Sequence, residues 1–223
     1  MENNIRYHAQ VVSDLSKACT LHPAQVQIAK AIFIDGKKRV FAEAGRKTGK
    51  TTIIPYCGYR QCMMKSGSIV YIVAPFFKQA KELLWADRRI THFLPEEIAK
   101  KYKIELNNSE MRVSFGNGSF IKLLGSDNTE AGRGVNPDMV IFDEGKDINE
   151  EFFSGMEPNI AAKNGILMMV GTPPPTFDNL FCKLSDEIKN DPSDGAYFNF
   201  PTWVNPHISR DWLKKQKQRL IDR

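Results

Sequence analysis

A chain of 223 residues fits one α/β domain, alone or with a small appendage, and is long enough to bury a real core. Its hydrophobic and charged fractions, 42% and 26%, exclude a disordered chain and mark no special class, so function has to be read from motifs. Lysine plus arginine exceed aspartate plus glutamate by 31 − 26 = 5, a balance that permits contact with nucleic acid without demanding it.

The N-terminus, Met1, Glu2, Asn3, Asn4, lacks the basic-then-apolar order of a secretory signal. The longest apolar stretches, around Ile69 to Phe77 and Ile166 to Val170, are strand-sized and fall short of the roughly 20 residues needed to span a bilayer. The expectation is a cytoplasmic protein with no membrane partner. Cys19, Cys57, Cys62 and Cys182 lack the paired short spacing of a zinc site and read as buried small hydrophobes.

Short β-branched runs alternate with longer amphipathic stretches, the pattern of a mostly parallel central sheet flanked by helices. The predicted strands are Arg39 to Glu43, Ser68 to Val73, Met139 to Asp143, Leu167 to Val170 and Tyr197 to Phe200. Most are nearly continuous apolar runs, as strands covered on both faces require. Helices are predicted at Gly49 to Met64, Lys78 to Asp87, Pro95 to Lys103, Asn179 to Asn190 and Ser209 to Ile221, with Ser209 as the cap of the last. Met111, Val113 and Phe115 alternate with Arg112 and Ser114 ahead of Asn117 and Gly118, which predicts an inserted β-hairpin over Met111 to Leu123. The polar stretch from Gly125 to Gly134 has no apolar period and reads as an exposed loop, the kind of segment that often carries function.

Ala44, Gly45, Arg46, Lys47, Thr48, Gly49, Lys50 and Thr51 satisfy the Walker A spacing, with a strand before them and a helix after them. Such a loop turns its backbone amides toward phosphates and adds the positive end of the helix that follows. Lys50 then reaches the terminal phosphates and Thr51 offers a hydroxyl to Mg²⁺; Thr52 closes the expected nucleotide-binding stretch. Ala44 stands where the general pattern has Gly, and a compact side chain suffices there. Met139 to Phe142 form a buried strand ending in Asp143 and Glu144, the Walker B arrangement. Asp143 is expected to hold Mg²⁺ and Glu144 to act as general base toward water. Kinases with the same phosphate loop usually lack the second acid, so the pair points to ATP hydrolysis. The fold class expected is a P-loop NTPase of the ASCE, RecA-like kind. Thr172, in Gly171, Thr172, Pro173 at the next strand tip, could sense the γ-phosphate and pass its loss onward.

These motifs, in their order, resemble the large terminase subunits that pump DNA into phage proheads. The resemblance also rests on His22, Pro23, Ala24, Gln25 ahead of the first strand, on Gly45 and Arg46 in the phosphate loop, and on Val73, Ala74, Pro75. It continues through Asn117, Gly118, Ser119 with Ile121, then Gly125, Ser126, and Arg133, Gly134 ahead of Walker B. It implies that Gln25 reads the adenine edge, with its neighbour Gln27 as the alternative. It also implies that Arg133 acts on a neighbouring subunit's ATP, with Arg46 competing for that role, and that Thr172 couples hydrolysis to movement. The partners implied are double-stranded DNA, a homo-oligomeric ring, the portal and the small terminase subunit, in the host cytoplasm.

Complete large terminases carry a second, nuclease domain of RNase H type. Residues 1–207 are expected to form the ATPase domain and 208–223 a helix leading toward such a nuclease. Lys214, Lys215, Lys217, Arg219 and Arg223 on that helix either touch DNA or form a solvated face. The rival readings are an ATP-dependent helicase or translocase of another P-loop family, and a nucleotide switch without turnover, against which Glu144 argues. An ABC-type ATPase is disfavoured because no Leu, Ser, Gly, Gly signature precedes Asp143.

Overall fold

The computed structural model describes residues 2–174 and 178–221. Helices α1 (Glu2–Ala18) and α2 (Pro23–Phe33) precede strand β1 (Arg39–Ala44), which runs through the phosphate loop into α3 (Lys50–Met64). Strand β2 (Ile69–Ala74) leads into a short α4 (Phe77–Ala80) continued as a π-helix, Lys81–Ala86. After α5 (Glu96–Lys101) come β3 (Glu105–Asn107), β4 (Arg112–Ser114), β5 (Phe120–Gly125) and β6 (Met139–Phe142). The chain finishes with α6 (Glu150–Ala162), β7 (Ile166–Gly171), α7 (Leu180–Asn190), β8 (Gly195–Phe200) and α8 (Arg210–Ile221).

All strands join one eight-stranded sheet in the order β3-β4-β5-β2-β6-β7-β1-β8. From β5 to β8 every neighbouring pair is parallel. The predicted hairpin forms, with Ser114 opposite Phe120, but it belongs to the main sheet: β5 pairs in parallel with β2 and β3 adds a further antiparallel strand at the edge.

Apolar runs serve both faces because successive side chains alternate. Val40, Ala42, Ile141, Met168 and Val170 point into one core with α1, α2 and α3; Phe41, Val140, Phe142, Leu167 and Met169 point into the other with α6 and α7. Asn149 caps α6 by accepting from the amides of Glu151 and Phe152, and Asn179 caps α7 by accepting from Phe181. Ser209 receives the Trp212 amide at 3.4 Å, consistent with the cap expected for α8. No helix among the described residues is long and apolar enough to cross a membrane.

Register fixes the site. Glu43 is level with Gly171, and Phe142 with Met169, so the ends of β1, β6 and β7 reach the same edge of the sheet. This is the carboxyl edge, where open α/β sheets bind ligands.

At the opposite edge Asp138, nearly inaccessible, accepts from Lys65 Nζ at 2.6 Å, Lys163 Nζ at 2.8 Å and the Ile69 amide at 2.8 Å. Burial acts to raise its pKa, but the bonds from Lys163, Lys65 and Ile69 outweigh burial and hold the carboxyl below its ordinary value. The stability this confers is present at neutral pH and lost as pH falls through the depressed pKa. Asp138→Ala should lower the unfolding free energy by about 2 kcal/mol in urea melts. The gap between wild type and Asp138→Asn should narrow as pH drops below about 4.

Candidate nucleotide site

The phosphate loop is held from behind. His22 Nε2 donates to the Thr48 carbonyl at 2.7 Å, Gln25 Nε2 to the Gly49 carbonyl at 2.9 Å, and Asn205 Nδ2 to the Lys47 carbonyl at 2.6 Å. Thr48 Oγ1 donates to the Gly45 carbonyl at 2.8 Å. With these carbonyls engaged, the amides of Arg46, Lys47, Gly49, Lys50 and Thr51 have no protein acceptor among the described residues. They form, with the start of α3, an anion cradle of the kind phosphates occupy. Two glycines are required here. Gly49 sits at φ 88°, and a β-carbon on it would stand 2.5 Å from Gln25 Nε2; one on Gly45 would stand 2.6 Å from Thr202 Oγ1.

Gln25 lies behind the loop, bonded to its backbone. Its carbonyl oxygen accepts the His22 amide at 3.0 Å while its amino group holds Gly49, and the residue is buried. Gln27, the alternative, is exposed. The sequence places Gln25 at the nucleotide site, and there its side-chain amide engages the backbone of His22 and Gly49.

Lys50 Nζ gathers the strand tips. It donates to the Ala44 carbonyl at 3.2 Å and to Thr172 Oγ1 at 2.9 Å, and it pairs with Glu144 Oε1 at 3.4 Å. Its side chain is 11% exposed, so these contacts form in a mostly dry setting where charge attracts strongly. Glu144 sits at φ 48°, an uncommon left-handed conformation for its residue type, and its amide donates to Asp143 Oδ1 at 2.9 Å. The turn is tight because a β-carbon on Gly145 would stand 2.6 Å from Met169 Cγ. Burial, then repulsion from Glu144, pushes the Asp143 pKa up to about 6, against the lowering effect of the Glu144 amide and Lys50.

The other residues named from the sequence are placed differently. Arg46 and Lys47 are exposed at the loop tip, with Lys47 Nζ 5.9 Å from the Trp212 ring centroid. Thr52 lies in the first turn of α3 with its amide donating to the Gly49 carbonyl. Arg133 is on the Gly125 to Gly134 loop, where Ser126 is buried, and it pairs with Glu130 at 2.7 Å, so it does not join the Lys50 cluster. Arg89 carries no motif in the sequence, yet its Nη1 donates to Thr51 Oγ1 at 3.0 Å. The contact spans 38 positions, and no local spacing rule signals it.

Because Asp143 has a raised pKa, ionising it weakens the nucleotide-free fold, and that loss sets in as pH rises from about 4 to about 6. Asp143→Asn should melt at higher temperature than wild type at pH 8, and the gain should disappear at pH 4, measured by calorimetry without nucleotide or divalent metal.

Residues 41–199 match the family model of the N-terminal part of the terminase large subunit, T4likevirus type. No curated protein matches the chain. Among solved structures, the large terminase ATPase domain of Thermus phage P74-26 superposes with a TM-score of 0.71 at 20% identity, covering 91% of this chain and 89% of that one. The large terminase of bacteriophage HK97 gives a TM-score of 0.78 at 14% identity, covering 97% of this chain and 52% of that one. A large terminase from a thermophilic bacteriophage gives 0.71 at 12%, covering 90% and 50%. The chain thus spans about half the length of these last two proteins. A family match over 41–199, joined to a P-loop fold with its phosphate loop, acid pair and threonine at one sheet edge, places this chain in the terminase large subunit family.

Proposed function

We propose that this chain is the ATP-hydrolysing motor domain of a phage DNA-packaging terminase, and that Lys50, Thr51, Asp143, Glu144 and Thr172 form its working centre. The observation that carries the reading is the position of Lys50 Nζ, in contact with both Glu144 and Thr172 at the base of a loop whose amides lack protein acceptors. The large terminase of the thermophilic bacteriophage that this chain half-spans has been solved in complex with ATP-γ-S and with ADP, which supports nucleotide binding here.

Thr51 and Asp143 supply hard oxygen donors, a fit for Mg²⁺, which takes few protein ligands and completes its shell with water and substrate phosphates. When bound, the ion neutralises charge on the phosphate oxygens. Lys50 carries the phosphate attraction on the protein side. Once a triphosphate fills the cradle, the Lys50 ammonium turns to its oxygens, and the Glu144 carboxylate is released from its ion pair. Glu144 then accepts a proton from water as the water oxygen bonds to the γ-phosphorus. The bond to the β-phosphate oxygen breaks, leaving ADP and phosphate. Thr172, bonded to Lys50 before this step, responds to loss of the γ-phosphate and relays it as the coupling residue.

Arg133 lies outside the Lys50 cluster, so its proposed target is the ATP of a neighbouring copy in a homo-oligomeric ring, with Arg46 as the rival at the loop tip. Double-stranded DNA is the proposed cargo, gripped through phosphates and therefore salt-sensitive. The portal and the small terminase subunit are the proposed assembly partners, in the host cytoplasm. Within this reading residues 1–207 act as the ATPase domain, and α8 leads toward a nuclease domain. Of its basic residues, Arg223 lies outside the described residues.

Glu144→Gln should keep ATP binding and slow phosphate release by about a hundredfold or more, whereas Lys50→Ala should lose binding or hydrolysis. Equal turnover by Glu144→Gln removes it as the base. Mixing Arg133→Ala with Lys50→Ala in an assembled ring should restore part of the ATPase rate; the absence of rescue points to Arg46 or to action within one subunit.

A further inference from the structure

We propose that Arg89 competes with Mg²⁺ for the Thr51 hydroxyl, so that metal loads onto the nucleotide site only as this arginine leaves. The inference rests on the nucleotide-site reading given above. Its geometry is built, not incidental. Arg89 follows Arg88, which is held at φ 59°, and precedes Ile90, which is fully buried. The Ile90 carbonyl accepts from Tyr59 Oη at 2.8 Å, and the Ile90 amide donates to the Leu84 carbonyl at 3.0 Å. Tyr59 and Thr51 belong to the same helix, α3, so one rigid element fixes both the arginine's backbone and its target.

The guanidinium is also aimed. Asp87 Oδ2 accepts from Arg89 Nε at 2.6 Å, and Nη1 donates to Thr51 Oγ1 at 3.0 Å. The remaining donors of the fork have no protein acceptor among the described residues. A threonine hydroxyl bound to Mg²⁺ offers a lone pair at about 2.1 Å. Such an ion and a guanidinium bonded to the same oxygen would stand a few ångströms apart, both positive, in a site flanked by Lys50. The two cations therefore exclude one another, and each reduces the other's hold on Thr51 by the same factor. Arg89 is a positioning residue in this account, acting on metal occupancy through Thr51.

The test compares the affinity of a fluorescent ADP analogue in EDTA with its affinity in saturating Mg²⁺, for the whole chain. Arg89→Ala should raise the Mg²⁺-induced gain in affinity about tenfold. Arg88→Asn removes a neighbouring positive charge, keeps a residue type that tolerates positive φ, and should leave the gain within about twofold. In a Thr51→Ala background the Arg89→Ala effect should vanish. An unchanged gain in Arg89→Ala overturns the proposal, as does an equal change in Arg88→Asn or an effect that persists without the Thr51 hydroxyl. If the wild-type chain binds the analogue in neither condition, the nucleotide-site reading itself fails.

Discussion

The Lys50 ammonium is the point on which the site depends. It bonds the last carbonyl of β1, the threonine that follows β7 and the glutamate that follows β6. A lone positive charge at a mostly dry sheet edge is unfavourable until it is matched, and these three oxygens match it from different strands. Their convergence depends on sheet order, since β7 lies between β6 and β1 and parallel register brings the tips level. The same ammonium is the group a triphosphate would claim first. The contacts that hold the ammonium to the strand tips are thus the ones a ligand would have to replace.

Much of this is legible because the strands and the loop are local signals. Arg39 to Ala44, Met139 to Phe142 and Ile166 to Gly171 are mainly apolar runs long enough for one layer, and each is followed by a polar or small residue. The Walker A stretch fixes the turn because Gly45 and Gly49 have no room for a side chain. The elements that escape a reading of the sequence are α1, α2, α6 and β3. Gly155 and Pro158 interrupt the sequence of α6, yet the Asn149 cap and the burial of Phe152, Phe153, Met156 and Ile160 override that weak propensity. The residues of β3 are all exposed, so no alternation marks them; pairing with β4 makes them a strand. The segment after β2 reads as one ordinary helix over Lys78 to Asp87, whereas Lys81–Ala86 takes the wider π spacing.

The side-chain partners are the least legible layer. Gln25 occupies the position that its motif suggests, but its amide completes a capping arrangement with His22 and braces Gly49. A glutamine that hydrogen-bonds an adenine and one that hydrogen-bonds a carbonyl use the same groups, so type and position alone do not separate them. Arg89 illustrates the converse case. Nothing around it in the chain distinguishes it from Arg88, and only the packing of Ile90 and Tyr59 brings it to Thr51. The arginines of this molecule divide accordingly. Arg89 is fixed to the site by its own subunit, whereas Arg46 and Arg133 are exposed and Arg133 pairs with Glu130 on its own loop.

The attachment of the phosphate loop to the end of the sheet carries a mechanical implication. The Gly45 amide bonds the Phe200 carbonyl, Thr202 fills the space a Gly45 side chain would need, Asn205 holds the Lys47 carbonyl, and Lys47 faces the Trp212 ring of α8. These contacts tie the loop to the segment that leads into α8, so a change in loop shape would bear on that segment. A pull on the ligand cradle would pass through Thr202 and Asn205 toward the terminal helix and its lysines.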